Sequence, residues 1–418
     1  MNPRHRSPLA IRYSLFLLFL SALQPFSLSA LCADAPASAP ERLWQGIPGL
    51  ERTEKGRLFF TWFTGGTMEP EERNMAVLCY SDDNGKTHSP LQVLGAPLKD
   101  GTRCYDPAPW IDPKGRLWYI FNRSNKTTGR HGVYARICDA PDAPVPAFGP
   151  EFKIELGVPY SLNMNKPTVL STGEWLLPVT FVHKPVYDWT PGKGNDKQPR
   201  LHGVAISKDG GKSWKLRGEV LAKPLPLENM ITELKDGRLW MLVRSISGFL
   251  FESYSTDKGE TWSEGMRSEI ANPGSRFFIR RLASGNLLLV NHVGFDAGDT
   301  NSEKRNNLTA QISTDDGKTW GKPLMLDARK PVSYPDGVQD KTGLIWIVYD
   351  YDRVGIYDKE SPGYGSILMA KFREEDVVQG KNASGDLVLR QLIDRIDSKM
   401  KEKRKKERAA QKKQEAAK

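Results

Sequence analysis

Two groups of polar residues in this chain have the types and spacing to do chemistry. The first is a set of aspartates in the frame S-x-D-x-G-x-[ST]-W. It occurs as Ser313-Thr-Asp-Asp-Gly-Lys-Thr-Trp320, Ser255-Thr-Asp-Lys-Gly-Glu-Thr-Trp262, Ser207-Lys-Asp-Gly-Gly-Lys-Ser-Trp214 and, with His88 in place of Trp, Ser81-Asp-Asp-Asn-Gly-Lys-Thr-His88. Four such carboxylates would suit catalysis or a bound cation. A group that a reaction needs once, however, has no reason to recur at every repeat. The frame also holds all that a self-satisfied hairpin turn requires: Asp and Ser/Thr side chains to bond nearby backbone N–H groups, and Gly for a positive φ. These aspartates are therefore read as turn residues, with the terminal Trp burying its ring to staple the turn.

The second group does not repeat. Glu228 precedes an apolar strand and Arg244 ends the strand after it, so a hairpin returns the two to one side. Arg305 opens a strand that runs into an S-x-D-x-G-x-[ST]-W frame, and Tyr334 precedes the first strand of the last repeat. Arg276 precedes another first strand, followed by Arg280 and Arg281, which alternation sends to opposite faces. Asp106, in Arg103-Cys-Tyr-Asp-Pro107, reads equally as a site carboxylate and as a structural Asp-Pro turn. Asn163 and Asn165, before Lys166-Pro167, are further candidates for hydroxyl contacts. Singly, each has an ordinary explanation in a core or an ion pair; in order, on equivalent repeats, they read as a set.

The elements that must position them carry a more regular motif, a glycine turn followed by an apolar strand. It appears as Lys55-Gly-Arg-Leu-Phe-Phe60, Lys114-Gly-Arg-Leu-Trp-Tyr119, Thr172-Gly-Glu-Trp-Leu-Leu177, Asp236-Gly-Arg-Leu-Trp-Met241, Ser284-Gly-Asn-Leu-Leu-Leu289 and Thr342-Gly-Leu-Ile-Trp-Ile347. Six units of this spacing suit four-stranded meanders and predict an all-β fold, a six-bladed β-propeller over residues 36–390. The Asp frames close the outer hairpins of blades one, three, four and five. The stretches 141–146 and 184–199, rich in Pro, are read as long loops because the strand pattern resumes in phase after each. The segment from about residue 40 is expected to pair with the last blade and seal the ring.

These motifs carry a resemblance. The S-x-D-x-G-x-[ST]-W frame is similar to the Asp-box, or BNR repeat, of sialidase-type propellers, and the non-repeating set resembles the bacterial and animal exo-sialidases across residues 44–373. The resemblance implies that Tyr334 is a nucleophile activated by Glu228, and that Arg244 and Arg305 grip a substrate carboxylate. A neutral Tyr suits that task, because an Asp or Glu would be repelled by a sugar with a carboxylate at its anomeric carbon. Two departures accompany it. Where the family opens its first blade with R-I-P, this chain has Gly46-Ile-Pro48, with Arg52 the nearest arginine. Where the family has an acid/base aspartate before the first Asp-box, this chain has Glu69-Pro-Glu-Glu-Arg-Asn74, so that Glu71, Glu72 or Asp106 must serve. Glu72 and Asp106 are carried forward as catalytic candidates, and Arg276 as a substrate-binding one.

The reading that follows is an exo-glycosidase, hydrolysing a terminal acidic sugar with retention. Two others stay open: a changed substrate, such as a uronic acid, cleaved by hydrolysis or elimination; and a glycan-binding propeller without turnover. The net charge of +10 does not point to nucleic acid, because residues 399–418 carry ten Lys/Arg against three Asp/Glu and the body is close to neutral. That tail, within a C-terminal extension placed at 391–418, has no apolar stripe and is read as solvated. Residues 1–35 read as a signal peptide, with an apolar run behind Arg4, Arg6 and Arg12 and a small-residue site at Ala33-Asp-Ala35, which implies a secreted or periplasmic monomer with no transmembrane segment. Cys79, Cys104 and Cys138 allow one disulfide or three buried thiols, and the scattered histidines lack ligand spacing, so neither metal nor cofactor is expected.

Overall fold

Each of the six glycine turns joins the first two strands of a four-stranded antiparallel sheet. Gly56, Gly115, Gly173, Gly237, Gly285 and Gly343 all have φ between 77° and 100°, and each donates its N–H to the carbonyl three residues earlier at 2.8 to 3.0 Å. A side chain would be strained at that φ, which is why the motif is built on glycine.

The computed structural model describes residues 41–416 apart from 126–130, 185–198, 225–227, 296–304 and 354–364. The leader read at 1–35 and nearly all of the loop read at 184–199 lie outside the described residues. Blade one is Gln45–Arg52, Leu58–Thr64, Met75–Ser81 and Gln92–Gly95; blade two is Arg103–Ile111, Leu117–Ser124, His131–Cys138 and Phe152–Lys153. Blade three is Thr168–Val169, Trp175–Val182, Leu201–Ser207 and Lys215–Leu221, with Tyr160–Leu162 added beside Trp175–Val182. Blade four is Asn229–Glu233, Leu239–Val243, Phe249–Ser255 and Met266–Ala271; blade five is Phe278–Arg281, Leu287–His292, Leu308–Ser313 and Leu324–Asp327. Blade six is Val332–Gln339, Leu344–Tyr351, Ser366–Arg373 and Val388–Asp394, so its outer strand carries the sheet past residue 390.

Burial explains the sequence pattern within each blade. The second strands are sandwiched between neighbouring blades and are buried on both faces, as in Leu58–Thr64 and Leu239–Val243. They therefore read as continuous apolar runs rather than alternating ones. Outer strands such as Met266–Ala271 are mostly exposed. Cys79, Cys104 and Cys138 are three buried free thiols.

The Asp frames turn out to staple blade to blade. In all four, the Ser hydroxyl donates to the Asp carboxylate at 2.8 Å, and the following Thr or Ser donates its N–H at 2.9 to 3.0 Å. The bonds from that Thr or Ser hold Asp83, Asp209 and Asp315 well below the usual carboxylate range, Asp315 at about 2. The glycine of each frame then presses on the preceding blade: Gly211 on Trp118, Gly259 on Leu176 and Val204, Gly317 on Trp240, and Gly85 on Met369 of blade six. The terminal Trp rings are only half-buried; it is the glycine backbone that makes the tight contact.

Ring closure differs from expectation. The segment near residue 40 pairs with blade one, through a bridge between Arg42 and Gly66. Blade six meets blade one by side-chain packing instead, Leu58, Phe60 and Trp62 against Trp346, Val348 and Met369, with Arg42 bonded to Asp394. The tail also differs. Ser398–Ala416 is a helix laid on the loop between the second and third strands of blade one, where buried Arg404 donates Nε to Thr67 O at 2.6 Å and Glu407 pairs with Arg73 at 3.2 Å. This docking uses polar groups and no apolar stripe, so periodicity carries no sign of it. Among the described residues no helix is long and apolar enough to cross a membrane.

The stapling account predicts unequal costs for two glycines with nearly the same φ. Gly237→Ala, where a Cβ meets nothing within 4 Å at φ +84°, should cost about 1 kcal/mol of backbone strain. Gly317→Ala, whose Cβ would come within 2.4 Å of the Trp240 ring at φ +85°, should cost roughly 1–3 kcal/mol more because the ring must shift. Equal losses in urea unfolding would show that the frame glycines do not join blades.

Candidate active site

Three first strands carry a β-bulge at a corresponding point: register shifts lie between Gly46 and Gly49, between Tyr105 and Ala108, and between Ser333 and Asp336. In each bulge a non-glycine residue immediately before a proline has positive φ: Ile47 at 58°, Asp106 at 49° and Tyr334 at 57°. A bulge re-aims a side chain out of the ladder, and a left-handed non-glycine residue costs about 1–2 kcal/mol that neighbouring contacts must offset. The contacts are present. Ile47 N–H donates to Asp350 Oδ2 at 2.9 Å, and Arg276 donates to Met164 O and Pro48 O at 2.7 Å and to Tyr334 O at 3.2 Å. Arg276, anticipated as a substrate contact, thus spends its terminal nitrogens tying blades one, three and six together beneath Tyr334.

Tyr334 is buried, 5 % exposed, and four guanidiniums surround its ring. Arg353 lies 4.6 Å from the ring centroid, Arg305 5.1 Å, Arg276 5.6 Å and Arg244 5.7 Å. One nitrogen of Arg244, Nη1, donates both to Glu228 Oε1 at 2.5 Å and to the Tyr334 hydroxyl at 3.1 Å. Among the described residues the other oxygen of Glu228 is buried without a hydrogen-bond partner, as are Nε and Nη1 of Arg305. Unpaired buried groups of opposite sign around one tyrosine are expensive, and they are what a ligand bearing both an acceptor and a donor would satisfy. Burial pulls the Arg305 guanidinium down to about 10.

Tyr334 and Glu228 line a cavity of about 240 Å³ together with Asp106, Glu69, Arg103 and Arg200, with Tyr105, Tyr160 and Leu162 forming an apolar wall. Asp106 is buried, and burial, followed by the nearby charge of Glu69, pushes its carboxyl up to about 8 against the pull of Arg103. Asp106 is therefore a protonated acid at neutral pH, next to a buried phenol and a carboxylate.

The remaining candidates lie elsewhere. Glu72 is exposed, its carboxylate lying over Gly101, where a built Cβ would meet it at 3.0 Å, and outside the cavity lining. Glu71 is used by Thr67 and Arg73. Arg52 stands over Trp346 at 4.5 Å and pairs with Asp340. Asn163 bonds Pro178 O within blade three at 2.7 Å, and Asn165 bonds Asn229 O at 2.8 Å, joining blade three to blade four. Arg280 faces the tunnel, where it bonds Pro167 O, while Arg281 turns to Asp316.

Sequence reasoning missed Glu69 as the cavity carboxylate and Arg353 as the guanidinium nearest Tyr334. A signal existed for Arg353: like Arg244, it follows the second strand of its blade. Another lay in the pairs Ile47-Pro48, Asp106-Pro107 and Tyr334-Pro335, which mark the three bulges. Among the described residues no group of three His, Cys, Asp or Glu is placed to hold a metal ion.

Residues 56–347 match the family model described as the BNR repeat-like domain. A sialidase of Bacteroides fragilis is 33% identical over 131 residues, covering 30% of this chain and 24% of that protein, so the chain spans about a quarter of the relative it matches. Among solved structures, the intramolecular trans-sialidase from Ruminococcus gnavus superposes with a TM-score of 0.60 at 14% identity, covering 83% of this chain and 99% of that one. A Hadza microbial sialidase gives 0.59 at 20% identity, over 73% of this chain and 63% of its own. Trypanosoma rangeli sialidase in complex with sialic acid gives 0.56 at 12%, over 76% and 55%. At these identities the likeness shows the fold.

The shared nitrogen of Arg244 has a stability consequence. Its side chain is 7% exposed and that of Glu228 1%, so Arg244→Met strands a buried carboxylate and should cost about 3–5 kcal/mol in denaturant unfolding. A loss below about 1 kcal/mol, the scale of a surface pair, would contradict the burial of this pair.

Proposed function

This chain belongs to the BNR repeat-like family within the sialidase superfamily, and from that premise we propose that it is a retaining exo-glycosidase that removes a terminal acidic sugar, a sialic acid or a relative, through Tyr334. One observation carries the reading: a buried phenol sits among four guanidiniums, with its hydroxyl and the Glu228 carboxylate bonded to the same nitrogen of Arg244. An ordinary phenol is a poor nucleophile, with a pKa near 10. Here a negative charge growing on the phenol oxygen is met at once. A guanidinium about 5 Å from such a charge is worth roughly 3 kcal/mol at an effective dielectric near 20.

In the first step Asp106, which burial keeps protonated, gives its proton to the glycosidic oxygen as that bond breaks. Tyr334 attacks the anomeric carbon and Glu228 accepts the phenolic proton on its unpaired oxygen. In the second step a water loses a proton to the Asp106 carboxylate and attacks the anomeric carbon. The bond to Tyr334 breaks, and the phenol recovers its proton from Glu228. Two displacements at one carbon give retention. Arg305 and Arg244 hold the substrate's carboxylate, Arg305 with donors that lack partners among the described residues. The apolar leader read at 1–35 supports export, where terminal sugars of glycans are met.

Tyr334→Phe should abolish turnover on an aryl sialoside while leaving the affinity for free sialic acid within a few-fold, because one hydroxyl is lost; undiminished turnover would end the Tyr mechanism. The acid has its own signature in pH. Native Asp106 keeps, up to about 8, a proton that it ordinarily loses at 3.8. The native state thus binds the extra proton in that window, and stability falls as pH rises across it. Activity should likewise fall as pH rises through about 8, and Asp106→Asn should erase that limb while lowering kcat by roughly 10²–10⁴-fold. An alkaline limb that survives in the variant assigns the acid to another group.

A further inference from the structure

Gly46 is the position at which the resemblance calls for an arginine, and the structure fills its space from the opposite side. A Cβ built on Gly46 would lie 2.9 Å from Arg353 Cδ, 3.3 Å from Arg353 Cβ and 3.1 Å from Asp350 Oδ2. Arg353 follows the second strand of blade six, reaches across to blade one with its side chain 12% exposed, and has the guanidinium nearest the Tyr334 ring. Two carboxylates attend it. Asp350 is fixed, accepting from Ser333 Oγ at 2.6 Å and from Ile47 N–H at 2.9 Å, and its Oδ2 stays 4.0 Å from Arg353 Nε. Glu69 is not fixed in this way. It comes from a loop, its side chain is 29% exposed, it lines the cavity, and it grips Arg353 Nη1 directly.

On the reading of the previous section, we propose that Arg353 joins Arg305 and Arg244 in receiving the substrate's carboxylate, that Gly46 is the space that admits it, and that Glu69 holds the substrate's place at Arg353 and yields to it. The exchange replaces one carboxylate by another at the same guanidinium. No buried charge is left unpaired at either end, which avoids the penalty that stranding Arg353 would carry. A neutral ligand cannot make the exchange, because it would have to break the Glu69 pair without replacing it. Beside Arg305 and Arg244, Arg353 thus helps to tell an acidic sugar from its neutral isostere, and the Glu69 side chain is the group that moves, on a loop that the Ser398–Ala416 helix holds in place.

The test compares binding of N-acetylneuraminic acid and of its methyl ester by calorimetry, alongside kcat and KM on an aryl sialoside, in the full-length protein. Wild type should prefer the acid by about tenfold or more, the scale of a charge-assisted pair. Arg353→Ala should lose a large part of that preference, chiefly through KM, and Arg353→Lys should keep more of it. Glu69→Gln should bind the acid several-fold more tightly, because the competing carboxylate is gone. Gly46→Arg alone should weaken binding, since the new side chain meets Arg353, whereas Gly46→Arg with Arg353→Ala should recover part of the preference. The proposal is overturned if Arg353→Ala, folded by its melting curve, keeps the wild-type preference, or if Glu69→Gln binds the acid no more tightly than wild type. Wild type that neither binds nor cleaves any acidic sugar overturns the previous reading and this one together; an active wild type with an indifferent Arg353→Ala overturns this one alone.

Discussion

The rest of the site depends on one constraint, which is that four guanidiniums converge on a single buried tyrosine ring. Cations so close together, with little water between them, repel one another and are costly to desolvate, so the fold must supply carboxylates at matching depth. It does so from several blades: Glu228 from just before blade four, Asp350 from the second strand of blade six and Glu69 from a loop of blade one. The same balance runs further down the tunnel, where buried Lys166 lies 3.4 Å from Glu51 and 3.5 Å from Asp336 and donates to the carbonyl of Gly337 at 2.8 Å. Arg276 differs from its neighbours in donating to three backbone carbonyls, and it is the one that braces the bulge carrying Tyr334.

Such an arrangement needs walls that do not give. Left-handed φ at Ile47, Asp106 and Tyr334 stores strain at three places around the tunnel, and that strain persists only if the blades cannot slide. Glycines pressed against the neighbouring blade's Trp118 and Trp240, and apolar packing of Trp62 on the blade-six cluster, hold them in register. The Asp frames therefore serve the site without touching it: each carboxylate is consumed within its own turn, and the turn fixes a blade that carries a site residue elsewhere.

Much of this was legible in the sequence, for physical reasons that differ by element. Blade number followed from six glycines that the turn geometry requires, and the second strands from apolar runs that burial on both faces requires. Glu228, Arg244 and Arg305 were legible as neighbours because each sits at a strand end, and Asp106 and Tyr334 because each lies near the start of a first strand, where the bulges are. Glu72 misled because a run of three acids near one loop tip cannot show which faces inward; Glu69 does, ahead of its proline. Gly46 was legible only as a loss. That the space it leaves is filled by Arg353, more than 300 residues later in the chain, is a fact of the closed ring, and no local pattern encodes it. The docked helix at Ser398–Ala416 was illegible for a related reason, since its contacts are single polar bonds such as Arg404 to Thr67.

The central claim is that a covalent bond forms between Tyr334 and the sugar. The most direct measurement is peptide mass mapping after incubation with a fluorinated sialosyl fluoride, which slows breakdown of a glycosyl-enzyme more than its formation. The account predicts one adduct of glycosyl mass, on the peptide containing Tyr334, absent when that residue is Phe. An adduct on Glu228, Glu69 or Asp106, or cleavage of the reagent with no adduct on any residue, would contradict it.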